Sequence, residues 1–126
     1  MSDMRTPLRR VRGMGSAHGG TDHFWQQRLT AISNFILITI FVFVTISLIG
    51  EGYEGMRATF GNPIVGVAAA LVIVSACVHM RLGMQTIIED YVHGPMKWPL
   101  SIGNIFFACL IAGLGLYAIV KMSFGV

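Results

Sequence analysis

The fold is decided by residues 58–80, which read ATFGNPIVGVAAALVIVSACVHM and contain no charged side chain. Two further stretches, residues 29–50 and 98–120, are also free of charge and similar in length. About 20 predominantly apolar residues are enough for a helix to cross the ~30 Å hydrocarbon core of a bilayer. The spacing therefore predicts an all-α membrane protein with three transmembrane helices.

The composition of the whole chain agrees with this prediction. Of its 126 residues, 54% are hydrophobic and only 12% are charged, whereas ordinary soluble domains carry about 25% charged residues. These values argue against a soluble enzyme, a nucleic-acid binder and a disordered regulator. The formal charge of +3 is therefore not interpreted as a nucleic-acid-binding surface.

The charged residues also predict the boundaries of the chain's parts. We expect residues 1–21 to form a flexible, basic cytoplasmic tail and residues 22–126 to form one three-helix transmembrane domain. Thr21 and Asp22 are candidates to cap the first helix, and residues 51–61 are expected to form a polar loop. The predicted helices span about 24–50, 62–92 and 99–123.

The distribution of basic residues predicts the orientation. Residues 1–28 carry five arginines, whereas the segment 51–57 carries one basic residue. The positive-inside rule then places the N-terminus in the cytoplasm or the mitochondrial matrix. Three crossings put the C-terminus on the outer side.

The residue that stands out is His79, the only histidine within a charge-free stretch. It lies about 24 Å along a helix from Pro63 and about 18 Å from Tyr91, which is near mid-depth. Polar groups at that depth are costly and need a partner. Two interpretations remain open, a histidine hydrogen-bonded to a neighbouring helix and a metal or haem ligand.

The helical wheel places small residues on the face that bears His79. Ser75 and Gly83 lie one turn above and below it. Small residues favour close helix packing, and they also leave room for a flat macrocycle beside an axial histidine. A buried low-spin haem needs two axial ligands, and three helices are too few to enclose it. The cofactor interpretation therefore implies a second membrane subunit.

Three residues nearer the cytoplasmic side are further candidates, each with an alternative. Asp90 and Tyr91 end the second helix, either as an interfacial pair or as a hydrogen-bonding pair for a quinone carbonyl. Arg28 either extends to lipid headgroups or pairs with a haem propionate. The helical wheel favours Arg28 over Arg81 for the second role, because Arg81 lies about 200° from His79.

Residues 79–91, HMRLGMQTIIEDY, resemble the second-helix signature of the D-type membrane-anchor subunit of succinate dehydrogenase, the respiratory complex II. The pattern is a histidine, a glycine four residues later, and Asp-Tyr eleven and twelve residues later. Residues 22–31, DHFWQQRLTA, are also similar to that family's entry into its first helix. The resemblance covers about residues 22–120.

The resemblance implies an all-α, three-helix half of a heterodimeric six-helix anchor bundle. It implies that His79 is one axial ligand of haem b, with Ser75 and Gly83 beside it and Arg28 near the propionates. Tyr91, supported by Asp90, would hydrogen-bond ubiquinone. The partners would be a C-type cytochrome b anchor subunit, an iron–sulfur subunit, a flavoprotein subunit and the lipid bilayer.

The resemblance also implies a role in the respiratory chain and the tricarboxylic acid cycle. The basic tail is similar to that of alphaproteobacterial members, which implies the bacterial inner membrane rather than the mitochondrial one. The chain alone is not expected to be an enzyme, because it has neither a nucleotide-binding motif nor a cysteine cluster for succinate oxidation. The alternatives are a small homo-oligomeric transporter or proton conductor, a haem-free structural anchor, and a fumarate reductase subunit.

Overall fold

A computed structural model describes residues 6–9 and 20–125 of the chain. Over these ranges the chain forms four helices of more than one turn, which are α1 (Gly20–Ser47), α2 (Tyr53–Gly61), α3 (Pro63–Tyr91) and α4 (Lys97–Phe124). The three long helices are each long and apolar enough to cross a membrane. The prediction of an all-α protein with three membrane-spanning helices is confirmed. The predicted tail, residues 1–21, lies mostly outside the described ranges.

The observed boundaries differ from the predicted ones by one to four residues. The first helix begins at Gly20 rather than near residue 24, so Thr21 and Asp22 lie inside its first turn and are not its caps. Asp22 still stabilises that end, because a negative charge is favourable at a helix N-terminus. The helix ends at Ser47 rather than at residue 50, and a turn follows in which Gly50 has a φ of 90°.

The start of the second long helix follows the predicted pattern. The Asn62 side chain accepts a hydrogen bond from the Ile64 backbone N–H at 3.0 Å, and Pro63 is the first helical residue. Proline suits this position because its missing N–H would have no partner inside the helix. The helix ends at Tyr91, and α4 begins at Lys97, two residues before the predicted start.

The segment between the first two long helices is not the polar loop that the sequence predicts, because residues 53–61 form the short helix α2. Phe60 is buried on this helix, and its backbone carbonyl accepts a hydrogen bond from the Ser123 hydroxyl at 2.9 Å. The Arg57 guanidinium donates to the Gly125 carbonyl at 2.9 Å. These contacts tie α2 to the end of α4, so tertiary packing stabilises a helix that is too short to be stable alone.

The helix α3 is the centre of the molecule. It packs against α1 and α4, whereas no Cα atoms of α1 and α4 lie within 8 Å of each other in the described residues. Towards α4, Asn104 is buried and its side-chain N–H donates to the Arg81 carbonyl at 2.9 Å. Large apolar side chains such as Phe35, Phe43 and Phe106 remain exposed. These outer faces suit lipid or another membrane subunit.

The close approach of α3 and α4 yields a test of the packing. A Cβ atom added at Gly115 would lie 2.9 Å from the Ile73 Cγ2, whereas one at Gly113 would meet nothing within 4 Å. Both changes to alanine gain about 1 kcal/mol of helix propensity, but overpacking costs about 1–3 kcal/mol. We predict that Gly115→Ala is less stable than Gly113→Ala by about 1–3 kcal/mol. Thermal unfolding of the detergent-purified protein measures this, and equal midpoints for the two variants would contradict the packing.

Candidate functional site

Three pairs of residues connect α1 and α3 across their contact. Thr30 faces His79, Ser33 faces Ser75, and Gln27 faces Gly83. The members are spaced by three residues on α1 and by four on α3, and both spacings keep residues on one face of a helix. We call these six residues the polar seam. The α1 members of the seam were not predicted from the sequence.

The central pair of the polar seam holds His79. The Thr30 Oγ1 lies 3.0 Å from Nδ1 of His79, and the imidazole is half-buried. His79 therefore has the hydrogen-bonding partner that we expect for a histidine within a membrane span. The contact engages only one of the two ring nitrogens. The contact is compatible with both interpretations of His79. The hydrogen bond to the neighbouring helix uses Nδ1, whereas a bond to a metal or haem iron would use Nε2.

The two flanking pairs keep the helices in register. The Ser75 hydroxyl donates to the Ser33 Oγ at 3.0 Å. A Cβ atom at Gly83 would lie 3.6 Å from the Gln27 Nε2, so this glycine brings the Gln27 side chain close to the α3 backbone. Ser75 and Gly83 therefore face α1, where they contribute to helix packing. Their predicted position beside a cofactor remains a prediction.

The second nitrogen of His79, Nε2, has no hydrogen-bond partner in the part of the chain that the structure describes. Some polar atoms, such as the Gln27 Oε1 and the Asn34 Oδ1, are enclosed by the protein and have no partner in the described residues. The Nε2 atom of His79 is not one of these enclosed atoms. A neutral imidazole with one bonded nitrogen presents the other to an external group. This arrangement fits the axial ligand of a haem iron, which needs a single nitrogen from the protein on each side.

The described residues also limit what this chain supplies to a metal. Among residues 6–9 and 20–125, no group of three or more histidine, cysteine, aspartate or glutamate side chains is placed to hold a metal ion. A metal held only by protein side chains needs several such ligands, whereas a haem iron takes four of its ligands from the porphyrin.

Arg28 lies outside the polar seam, in the N-terminal part of α1. Its guanidinium carbon lies 4.4 Å from the centre of the Phe24 ring, and Phe24 packs edge to face against Trp25 with the ring centres 5.9 Å apart. A guanidinium stacked on an aromatic face keeps its N–H groups free for an anion. Arg28 is exposed, so those groups are accessible.

Arg81 lies on the other side of α3. Its carbonyl accepts the bond from Asn104 on α4, and its Nε is enclosed without a partner in the described residues. The helical wheel predicted that Arg81 would be separated from His79, and this placement agrees with it. No role in the polar seam follows for Arg81.

Asp90 and Tyr91 lie at the C-terminal end of α3, about 18 Å along the helix axis from His79. Both are exposed, and 79% of the Tyr91 surface is accessible. In the described residues no hydrogen bond joins the phenol to the carboxylate or either group to another side chain. Their polar atoms are therefore accessible to a ligand or to another subunit.

The sequence contains a signal for the missed members of the polar seam. Gln27, Thr30 and Ser33 recur every three residues on one face of α1, and a row of polar or small residues of this kind is typical of a contact between membrane helices. The pattern does not reveal which residues of α3 lie opposite, because that depends on the register between the two helices.

Comparisons of the sequence with known proteins also indicate a membrane subunit. Residues 2–114 match the family model described as the succinate dehydrogenase/fumarate reductase transmembrane subunit. No solved structure gives a significant match.

Several relatives cover much of the chain. A succinate dehydrogenase hydrophobic membrane anchor subunit of Paracoccus denitrificans is 31% identical over 120 residues, covering 95% of this chain and 93% of the relative. A protein of the same name from Rickettsia bellii is 27% identical, covering 71% and 72%. A succinate dehydrogenase membrane anchor subunit of Reclinomonas americana is 33% identical, covering 66% and 72%.

The family model, which matches residues 2–114, extends over both the Arg28 region and the residues 79–91 that carry the resemblance. The three membrane-spanning helices agree with the name of the family. The resemblance to membrane-anchor subunits of succinate dehydrogenase is confirmed, and the chain belongs to the succinate dehydrogenase/fumarate reductase transmembrane subunit family.

Proposed function

We propose that this chain is the D-type membrane anchor of a succinate dehydrogenase and that His79 is one axial ligand of a haem b. The observation that supports the haem role is the hydrogen bond between the Thr30 Oγ1 and Nδ1 of His79, which leaves Nε2 without a partner in the described residues. Metal-ligating histidines commonly have their other ring nitrogen bonded in this way. The second axial ligand comes from the partner anchor subunit, because His79 is the only histidine in the three charge-free stretches.

The separation of α1 and α4 supports the proposal that a second membrane subunit packs against this chain. Since these helices do not approach each other in the described residues, the chain cannot enclose a macrocycle beside α3 by itself. A C-type cytochrome b subunit with three helices of its own would complete a six-helix bundle. The exposed apolar side chains of α1 and α4 provide surface for that packing and for lipid.

Arg28 and the Asp90–Tyr91 pair occupy the cytoplasmic side of the proposed bundle. The stacked guanidinium of Arg28 would pair with a haem propionate, because a planar fork of N–H donors matches a carboxylate. The phenol of Tyr91 would donate a hydrogen bond to a ubiquinone carbonyl. The carboxylate of Asp90 would support Tyr91 in this role.

Each residue then has a defined task in quinone reduction. When bound, the haem supplies a one-electron redox centre close to the quinone. The iron–sulfur subunit passes electrons to the quinone, and the flavoprotein subunit oxidises succinate. Tyr91 holds the quinone carbonyl in place and stabilises the negative charge that develops on its oxygen. The chain alone has no catalytic centre. It acts within the bacterial inner membrane with its N-terminus in the cytoplasm.

The haem role is tested by His79→Ala in the complex purified in mild detergent. We predict loss or a marked change of the haem b absorption, because one axial ligand is removed. The matched control is His93→Ala, since His93 is exposed in the inner loop and should leave the spectrum unchanged. A wild-type complex without haem but with normal quinone reduction would contradict the haem role and favour a cofactor-free anchor.

The quinone role is tested by Tyr91→Phe. Loss of one hydrogen bond of about 1 kcal/mol predicts a roughly five- to tenfold fall in quinone reduction. Succinate oxidation with an artificial acceptor should stay near the wild-type value, because that reaction does not use the quinone site. Tyr53→Phe, at the start of α2 on the opposite side of the membrane from Tyr91, is the control and should change neither activity. A parallel fall in both activities would show that Tyr91 acts through assembly rather than through quinone binding.

A further inference from the structure

The hydroxyl of Thr30 has three polar atoms around it. Its Oγ1 lies 2.8 Å from the Gln26 carbonyl, 3.1 Å from the Gln27 carbonyl and 3.0 Å from Nδ1 of His79. A hydroxyl has one proton to donate and two lone pairs that accept. Backbone carbonyls can only accept, so the two contacts along α1 compete for that single proton. The shortest of the three contacts is to the Gln26 carbonyl, which favours donation there.

The direction of that donation determines which tautomer the neutral imidazole adopts. If the Thr30 proton points to a carbonyl of α1, the hydroxyl presents a lone pair to His79. Two lone pairs facing each other at 3.0 Å would repel, so Nδ1 carries a hydrogen and donates it. A neutral imidazole has one donor nitrogen and one acceptor nitrogen. Nε2 is then the acceptor, which is the form that binds a metal.

We propose that Thr30 is a positioning residue that fixes His79 as its Nδ1–H tautomer and directs Nε2 away from α1 as the ligating nitrogen. This inference rests on the proposed role of His79 as a haem ligand. The flanking pairs of the polar seam assist, since the Ser33–Ser75 bond and the Gln27–Gly83 contact keep Thr30 opposite His79. A slip of one turn between the helices would break all three pairs.

The bond affects the haem in two ways. An oriented ring needs less ordering when it binds iron, so the haem is held more tightly. A hydrogen bond from Nδ1 also raises the electron donation of the ligating nitrogen, which stabilises the oxidised iron. Loss of the acceptor should therefore weaken haem retention and raise the midpoint potential of the haem.

The test is Thr30→Val in the assembled, detergent-purified complex. Valine keeps the shape and the β-branch of threonine but removes the acceptor. Partners of this kind typically contribute 10- to 100-fold to metal affinity, so we expect haem to be lost from the complex at least about ten times faster. A redox titration of the haem should show a higher midpoint potential.

Two variants serve as controls. Thr39→Val makes the same change on α1 at an exposed residue whose hydroxyl bonds the Phe35 carbonyl, and it should behave as the wild type. Thr30→Ser retains a hydroxyl at the critical position and should restore most of the haem retention and the potential. Recovery of haem retention and midpoint potential in Thr30→Ser would show that Thr30 acts through its hydroxyl and not only through its shape.

The outcomes separate this inference from the proposed function. If His79→Ala removes the haem signal while Thr30→Val retains haem at the wild-type potential, the positioning role is wrong and the ligand role stands. If His79→Ala leaves the haem intact, the proposed function is wrong and this inference falls with it. If Thr30→Val does not assemble with the flavoprotein subunit, Thr30→Ala is measured in the same way, and an unchanged potential in that variant also overturns the proposal.

Discussion

The hydrogen bond between Thr30 and His79 is the interaction on which the proposed function depends. A polar side chain near the middle of a bilayer has no water to bond, so it must find a partner within the protein. Thr30 provides that partner at 3.0 Å across the contact between α1 and α3. The polar seam therefore has two consequences, since it binds two membrane helices together and it determines which nitrogen of His79 remains free.

The central position of α3 explains why a single chain could not enclose the proposed haem. This helix contacts α1 through the polar seam and α4 through Asn104 and Gly115, but α1 and α4 do not meet in the described residues. A bundle of three helices arranged in this way cannot surround a large planar group. Under the proposed function, a second membrane subunit would therefore complete the haem site.

Much of this architecture could be predicted from the sequence, because charge is so costly in a membrane that its spacing marks the spans. His79 was recognisable for the same reason. Its partner Thr30 was not, since a helical wheel describes one helix and carries no information on the residue opposite. The short helix α2 was missed because its stability depends on contacts with α4, through Phe60 and Arg57, that are remote in sequence. The roles of Arg28, Asp90 and Tyr91 remain predictions, since their polar groups face outwards.

The most direct test of the central claim is an experimental map of the assembled complex at a resolution that shows side chains. The account predicts a haem between this chain and a second membrane subunit, with Nε2 of His79 bonded to the iron and Nδ1 within hydrogen-bond distance of the Thr30 hydroxyl. A map in which Nδ1 faces the partner subunit, or in which apolar side chains fill the space beside His79, would contradict it.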